Sequence, residues 1–220
     1  MKSLMFLVGA AILSCGLHAQ DVQVRRYTQT GSADKQVVVR SIKPLDPPAF
    51  VGEQLFAFAV MPILETPDRS MDSVLFRFNL FVGAHRSTYI FDLGLIGGIS
   101  DYEMNGLAIS GIFNRIGTST GAFQFAGICN YSGWDMSGCQ LSAAWNWTEG
   151  HFSGLQIGLV NNAGRLDGLQ IGGFNLAEQG AGVQIGVVNI SERLEGLQIG
   201  AINVNRDSAV PVLPVLNFAF

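Results

Sequence analysis

Two histidine–serine pairs stand close enough along the chain to be read as base and nucleophile: His85 with Ser87, and His151 with Ser153. An imidazole that takes the proton of a neighbouring hydroxyl is the chemistry of an acyl hydrolase, here one working at a membrane. A third group must orient the imidazole, and none is identifiable near either pair. Each pair also falls where the pattern suggests a turn, so exposed loop histidines are the simpler reading. Asp92, Asp101 and Glu103 supply the oxygens that a hard cation takes, provided their loops converge. GLIGGI at Gly94–Ile99 is not followed by a helical pattern, so it lacks the strand–turn–helix context of a phosphate-binding loop. The residues therefore predict no catalytic group, no cofactor, no metal ligand and no enzyme.

What these side chains sit on is a repeat. GLQIGLVN (Gly154–Asn161) returns as GLQIGGFN (Gly168–Asn175), GVQIGVVN (Gly182–Asn189) and GLQIGAIN (Gly196–Asn203). Its fixed members are Gly154, Gln156, Gly158 and Asn161; Gly168, Gln170, Gly172 and Asn175; Gly182, Gln184, Gly186 and Asn189; and Gly196, Gln198, Gly200 and Asn203. Degenerate copies precede them at Gly106–Asn114, Gly121–Asn130 and Gly138–Asn146. A short fixed period of this kind predicts stacked β-strands separated by turns. After Arg115 every charged residue, from Asp135 to Asp207, falls between repeat cores. Charge keeps its water at a turn and loses it in a sheet.

Composition narrows the class. The chain has 220 residues, a formal charge of -4 and 27 glycines, and 48 % of it is hydrophobic. The acidic balance and the absence of a basic cluster argue against nucleic acid as a partner. Mean hydropathy is +0.31, but beyond the N-terminus no apolar run reaches the ~18 to 20 residues of a membrane-spanning helix. Lys2, the apolar Leu4–Leu13 and Leu17-His18-Ala19 predict a signal peptide over 1–19. Ile12-Leu13-Ser14-Cys15 is a rough lipobox in which Leu13 fits poorly. An irregular extension over 20–49 and a single all-β domain over 50–220, with repeats at 94–203, complete the expected organisation. Cys129 and Cys139 lie in adjacent repeats, as one pair in an oxidising compartment or as two small apolar strand residues.

In each unit Leu155, Ile157 and Leu159 share one strand face, and Gly154, Gln156 and Gly158 the other. Two architectures satisfy that alternation. The expected one is an antiparallel up-and-down transmembrane β-barrel of about 10 to 12 short strands, with Leu and Ile against lipid and Gln lining a narrow interior. The aromatic residues Phe123, Phe125, Tyr131, Trp134, Trp145, Trp147 and Phe152 then suit an interfacial belt. The alternative is a parallel β-solenoid with 14–16-residue coils, Leu and Ile stacked inside and the repeat asparagines forming a ladder at a corner.

The GLQIGxxN units resemble those of bacterial surface repeat proteins, exported and without established activity, over Gly94 to Asn203. Val212, Pro214, Leu216, Phe218 and Phe220 resemble the C-terminal assembly signal of outer-membrane barrels, from which Pro211 and Pro214 depart. Leu17-His18-Ala19-Gln20 is similar to Bacteroidetes-type export signals. These resemblances imply an outer-membrane protein of structural, adhesion or narrow-passage type, with the lipid bilayer and the outer-membrane assembly machinery as partners. The alternative function is a soluble or lipid-anchored repeat protein, periplasmic or at the cell surface, that binds a partner through a sheet face. No small-molecule ligand is named by any residue.

Overall fold

The computed structural model describes residues 53–60, 65–66 and 73–219. The expected signal peptide over 1–19, Cys15, the whole of the extension over 20–49 and the terminal Phe220 lie outside them. The described chain is built from β1 (Glu53–Ala59), β2 (Glu65–Thr66), β3 (Ser73–Asn79), β4 (Val82–Gly94), β5 (Gly97–Met104), β6 (Gly106–Ser110), β7 (Phe113–Ala126), β8 (Cys129–Ser132) and β9 (Met136–Ser142). β10 (Trp145–Asn205) then stays bridged through all four GxQIGxxN units, and β11 (Val212–Ala219) follows it.

From β3 to β10 every strand pairs in parallel with its equivalent one repeat away. Phe76 stands opposite Phe91, Phe91 opposite Leu107, Leu107 opposite Phe123, Phe123 opposite Cys139, and Cys139 opposite Leu155. β1 joins this stack in parallel with β3, Phe56 facing Phe76. Among the described strands, antiparallel pairing occurs at the two ends, β2 on β1 and β11 on the last coil of β10. The linking residues thus carry the chain around an axis and set it down one strand spacing further on, about 4.8 Å.

The molecule is a parallel β-solenoid, which corrects the transmembrane barrel of about 10 to 12 antiparallel strands. A barrel closes its sheet on itself; here the strand order starts at β11 and finishes at β2, and the two ends do not meet. A barrel also reverses direction at each turn, whereas these linkers wrap. The solenoid was the alternative, but the side chains that its GxQIGxxN units turn inside are not their Leu and Ile. Gln156, Gln170, Gln184 and Gln198 are buried, and the isoleucines that follow them point outward.

The inward positions of the linkers supply the apolar core. Met104, Ile116, Met136, Phe152, Ala163, Leu166, Ala177 and Leu194 form a strip along the axis. Leu166 and Leu194 come from Arg165-Leu166-Asp167 and Arg193-Leu194-Glu195, where the strand alternation turns the leucine in and both charges out. The outward polar groups pair along one side of the solenoid: Arg115 with Asp101 at 3.3 Å, the His151 ring with Asp167 at 2.6 Å, Arg193 with Asp207 and Arg206 with Glu192 at 2.7 Å each.

That charged side corrects the outer-membrane location and the lipid bilayer as a partner. It follows the whole repeat array, so a solenoid set across a membrane would draw it through hydrocarbon, at a cost of about 2–4 kcal/mol for each basic residue near the midplane. The outer-membrane assembly machinery falls with the barrel. β11 caps one end of a stack instead of closing a sheet, with Leu197 opposite Phe218 and a register shift between Gly200 and Asn203. Val215 in β11 has φ 67°, a left-handed backbone that a β-branched residue rarely adopts.

Candidate functional site

The interior carries two ladders of side-chain amides. In the first, Nε2 of each glutamine donates to Oε1 of the glutamine one coil earlier: Gln140 to Gln124 at 2.8 Å, Gln156 to Gln140 at 2.7 Å, Gln170 to Gln156 at 2.7 Å, Gln184 to Gln170 at 2.8 Å and Gln198 to Gln184 at 2.8 Å. In the second, Nδ2 of each asparagine donates to Oδ1 one coil later, from Asn114 through Asn130, Asn146, Asn161, Asn175 and Asn189 to Asn203, at 2.7 to 3.0 Å. The two ladders therefore run in opposite senses. Backbone carbonyls fix that polarity, because the second amide hydrogen of Asn161 goes to Ile171 O at 2.9 Å and that of Gln170 to Leu176 O at 3.2 Å.

Each asparagine closes a corner. Asn161, Asn175 and Asn189 each donate to the backbone carbonyl of an isoleucine on the next coil, Ile171, Ile185 and Ile199, at 2.9 Å. The glycine after the isoleucine makes room for this. A Cβ on Gly172 would run into Gly158 O and stand 2.7 Å from Asn161 Nδ2. The glycine before the glutamine column has a different reason: Gly154 and Gly196 have φ of 139° and 143° and lie on the backbone of the coil beneath.

Toward the N-terminus the glutamine column continues by register into Ala108, Asp92 and Arg77. Arg77 is fully buried and pairs with Asp92, Nε to Oδ1 at 2.9 Å and Nη2 to Oδ2, while Asn79 adds a bond to Asp92 at 2.8 Å. Sequence reasoning missed this pair. Its signal was visible, since Arg77 and Asn79 alternate with Phe76 and Phe78 in β3. At Ala108 the ladder breaks, and among the described residues Gln124 Nε2 has no hydrogen-bond partner.

The residues considered for chemistry lie in strands and not in the turns and loops expected of them. His85 and Ser87 lie within β4 and are buried, not at a turn. His151 lies in β10 with its imidazole on Asp167, and among the described residues no hydrogen bond joins it to Ser153. Asp92 is taken by Arg77, Asp101 by Arg115, and Glu103 accepts from Asn105 at 2.7 Å and Tyr89 at 3.3 Å. No group of three metal-ligating side chains occurs among the described residues. Cys129 and Cys139 are not joined by a disulfide and stand in different columns, opposite Trp145 and Leu155. A narrow passage is also corrected, because the inward face is occupied by hydrogen-bonded amides and not by an open lumen.

What remains available is the outer surface. The residues on either side of the inward glutamine column form two outward columns. One runs from Phe56 through Phe76, Phe91, Leu107 and Phe123 to Cys139 and Leu155. The glutamine rungs carry it on to Leu169, Val183 and Leu197, and Phe218 ends it. The other runs from Phe58 through Phe78, Leu93, Ile109, Phe125 and Leu141 to Ile157, then Ile171, Ile185, Ile199 and Leu216 by the same register. Neither column holds a charge. Phe58 is 60 % exposed, Phe123 53 % and Ile185 37 %. Phenylalanines stack along it, Phe56 on Phe76 at 5.5 Å and Phe58 on Phe78 at 5.6 Å. Beside its middle, Gly127 and Ala143 leave an open depression of about 480 Å³ against Ile109, Phe125 and Leu141.

No protein-family model, no curated protein and no solved structure matches the chain. The resemblance to outer-membrane repeat proteins and to a barrel's C-terminal signal is accordingly corrected: nothing matched carries it, and the parallel coils contradict the barrel it implied.

Proposed function

We propose that the chain is an exported, non-catalytic β-repeat protein that binds a partner through the apolar outer face of its sheet. One observation carries this reading: two uncharged columns of Phe, Leu and Ile extend unbroken from Phe56 and Phe58 to Phe218 and Leu216 on an open parallel sheet. All-parallel sheets occur almost only with both faces covered, and contiguous apolar surface larger than a few hundred Å² marks an interaction site. The amide ladders serve as the frame. They hold the coils in register and so keep the outer columns straight. Export rests on Lys2–Ala19, and the reading puts the protein in the periplasm or at the cell surface, released or anchored through Cys15.

Thiol footprinting in the producing cell tests the reading. With the native cysteines replaced by serine, single cysteines at Leu169 and Ile185 should be protected from a maleimide, while one at Glu178, on the charged side, should react. Equal labelling at all three positions would mean that nothing covers the face.

A further inference from the structure

The apolar face has a gradient of side-chain size. Its N-terminal half is rich in phenylalanine, with Phe76, Phe78, Phe91, Phe123 and Phe125, and its C-terminal half carries Leu, Ile and Val at every position from Leu155 to Ile199. A flat partner of uniform depth would touch the bulky half and leave a gap over the other. A second copy laid on it with its axis reversed fills that gap. A twofold axis along the strand direction sets Phe123 against Leu155, Phe125 against Ile157, Phe91 against Val183 and Phe78 against Ile199, while Leu93 meets the like-sized Ile185 and Phe56 meets Phe218. A ring thus meets an aliphatic side chain at most of the paired positions, which is how facing sheets interdigitate.

We propose that this face is covered by a second copy of the chain, packed face to face about such a twofold axis, with Cys139 and Leu141 at its centre. The inference rests on the reading that the face is a binding surface and names its occupant. The size fits. From one end to the other the columns extend roughly ten strand spacings, about 48 Å, and are about 14 Å wide with their side chains. Covering that strip on both copies buries roughly 1,300 Å², within the ~1,200–2,000 Å² of stable specific interfaces. An isologous contact of this kind is the commonest route to a closed dimer. Neither face has a charge that would have to be desolvated. The charged side, with Arg193–Asp207 and Arg206–Glu192, stays in water. Counting along the first column, Cys139 has as many positions before it, to Phe56, as after it, to Phe218, so the reversed copy brings Cys139 onto itself. Cys129 lies in another column and stays apart.

Sedimentation velocity of the full chain at micromolar concentration, combined with a short homobifunctional maleimide, tests this. With Cys15 and Cys129 replaced by serine, leaving Cys139 as the sole thiol, the expected results are a particle of twice the 23.6 kDa chain and a cross-linked pair. Burial pushes the Cys139 thiol up, so the reaction is run at alkaline pH. With Cys129 as the sole thiol no cross-link should form. Leu141→Lys, which sets two ammonium groups together at the axis, should shift the particle to monomer with its circular dichroism unchanged. If that variant does not fold, the cross-linking result decides. A dimer whose Cys139 residues do not cross-link, or a monomer at every concentration, overturns the proposal. A monomer in which a cysteine at Leu169 is still protected means that residues 1–49 or another protein cover the face, and the binding reading stands. A monomer with that thiol freely reactive, in the cell as well as purified, removes both.

Discussion

Asn161 donates one amide hydrogen to Asn175 Oδ1 and the other to Ile171 O, both at 2.9 Å, so a single side chain joins two coils and closes a corner. Buried amides are expensive unless every hydrogen is placed, and here the repeat supplies each partner from the next copy of itself. Asn175→Ala therefore leaves Asn161 Nδ2, Ile185 O and Asn189 Oδ1 each short of a bond. The expected loss is roughly 2–5 kcal/mol, read as a lower urea midpoint. A loss below about 1 kcal/mol would show that the ladder is a consequence of the coil and not a support for it.

Glycines in this fold divide by what a methyl group would meet. At Gly172 it would meet Gly158 O, which is backbone and cannot give way, and Gly172→Ala should cost at least about 1–3 kcal/mol. Gly121 has nothing within 4 Å of the added atom. Gly121→Ala should be neutral or add about 0.4–1 kcal/mol by restricting the unfolded chain. Paired thermal melts of the two variants compare them directly; equal effects would contradict the close approach of adjacent coils.

Arg77 and Asp92 are a buried pair at the head of the glutamine column, and removing one partner strands the other. Arg77→Leu should lose about 3–5 kcal/mol, and Arg77→Leu combined with Asp92→Leu should lose less than that single change. The exposed pair Arg193–Asp207 provides the contrast, and Arg193→Ala should cost under about 1 kcal/mol. A double variant worse than the single would mean that the charged pair supports the column beyond satisfying itself.

Acid should weaken the charged side through Asp167. Burial pushes its carboxyl up, but bonds from Ala181 N at 3.1 Å, Arg165 at 3.2 Å and His151 at 2.6 Å outweigh that and hold it below the usual carboxylate range. A depressed carboxyl stabilises the fold above its unfolded value of about 3.9, and that contribution is lost as pH falls through the folded value. The stability difference between the native chain and Asp167→Asn should therefore shrink from pH 5 toward pH 2. A difference constant across that range would remove Asp167 from the acid response.

The period, the all-β class and the wet linkers were legible in the sequence because each is a matter of spacing and charge. The direction of travel was not. Asn162–Asp167 contains neither a hairpin signature nor a solenoid one, and Gly-Gln-Gly on one face suits a polar lumen as well as an amide ladder. The cue that separates them lies in the linkers. Arg165-Leu166-Asp167 and Arg193-Leu194-Glu195 each hold one apolar residue between two charges, which a solvated barrel turn does not need and a strand with one inward residue does. The Arg77–Asp92 pair was hidden because its members are 15 residues apart, and only the coil length brings them together.

Adjacent coils lie on one another in parallel, and one distance tests this arrangement. Gln179 and Arg193 are both exposed and lie one period apart in consecutive linkers, so nitroxide labels there leave the ladders and the core undisturbed. In the solenoid their Cα atoms stand about 4.8 Å apart, and the labelled protein should show strong dipolar broadening at contact range. In an antiparallel barrel the two linkers fall at opposite ends of strands of about 9 residues, roughly 25–30 Å apart. Broadening at contact range is the expected result; a distance near 25–30 Å would contradict the solenoid and everything built on it.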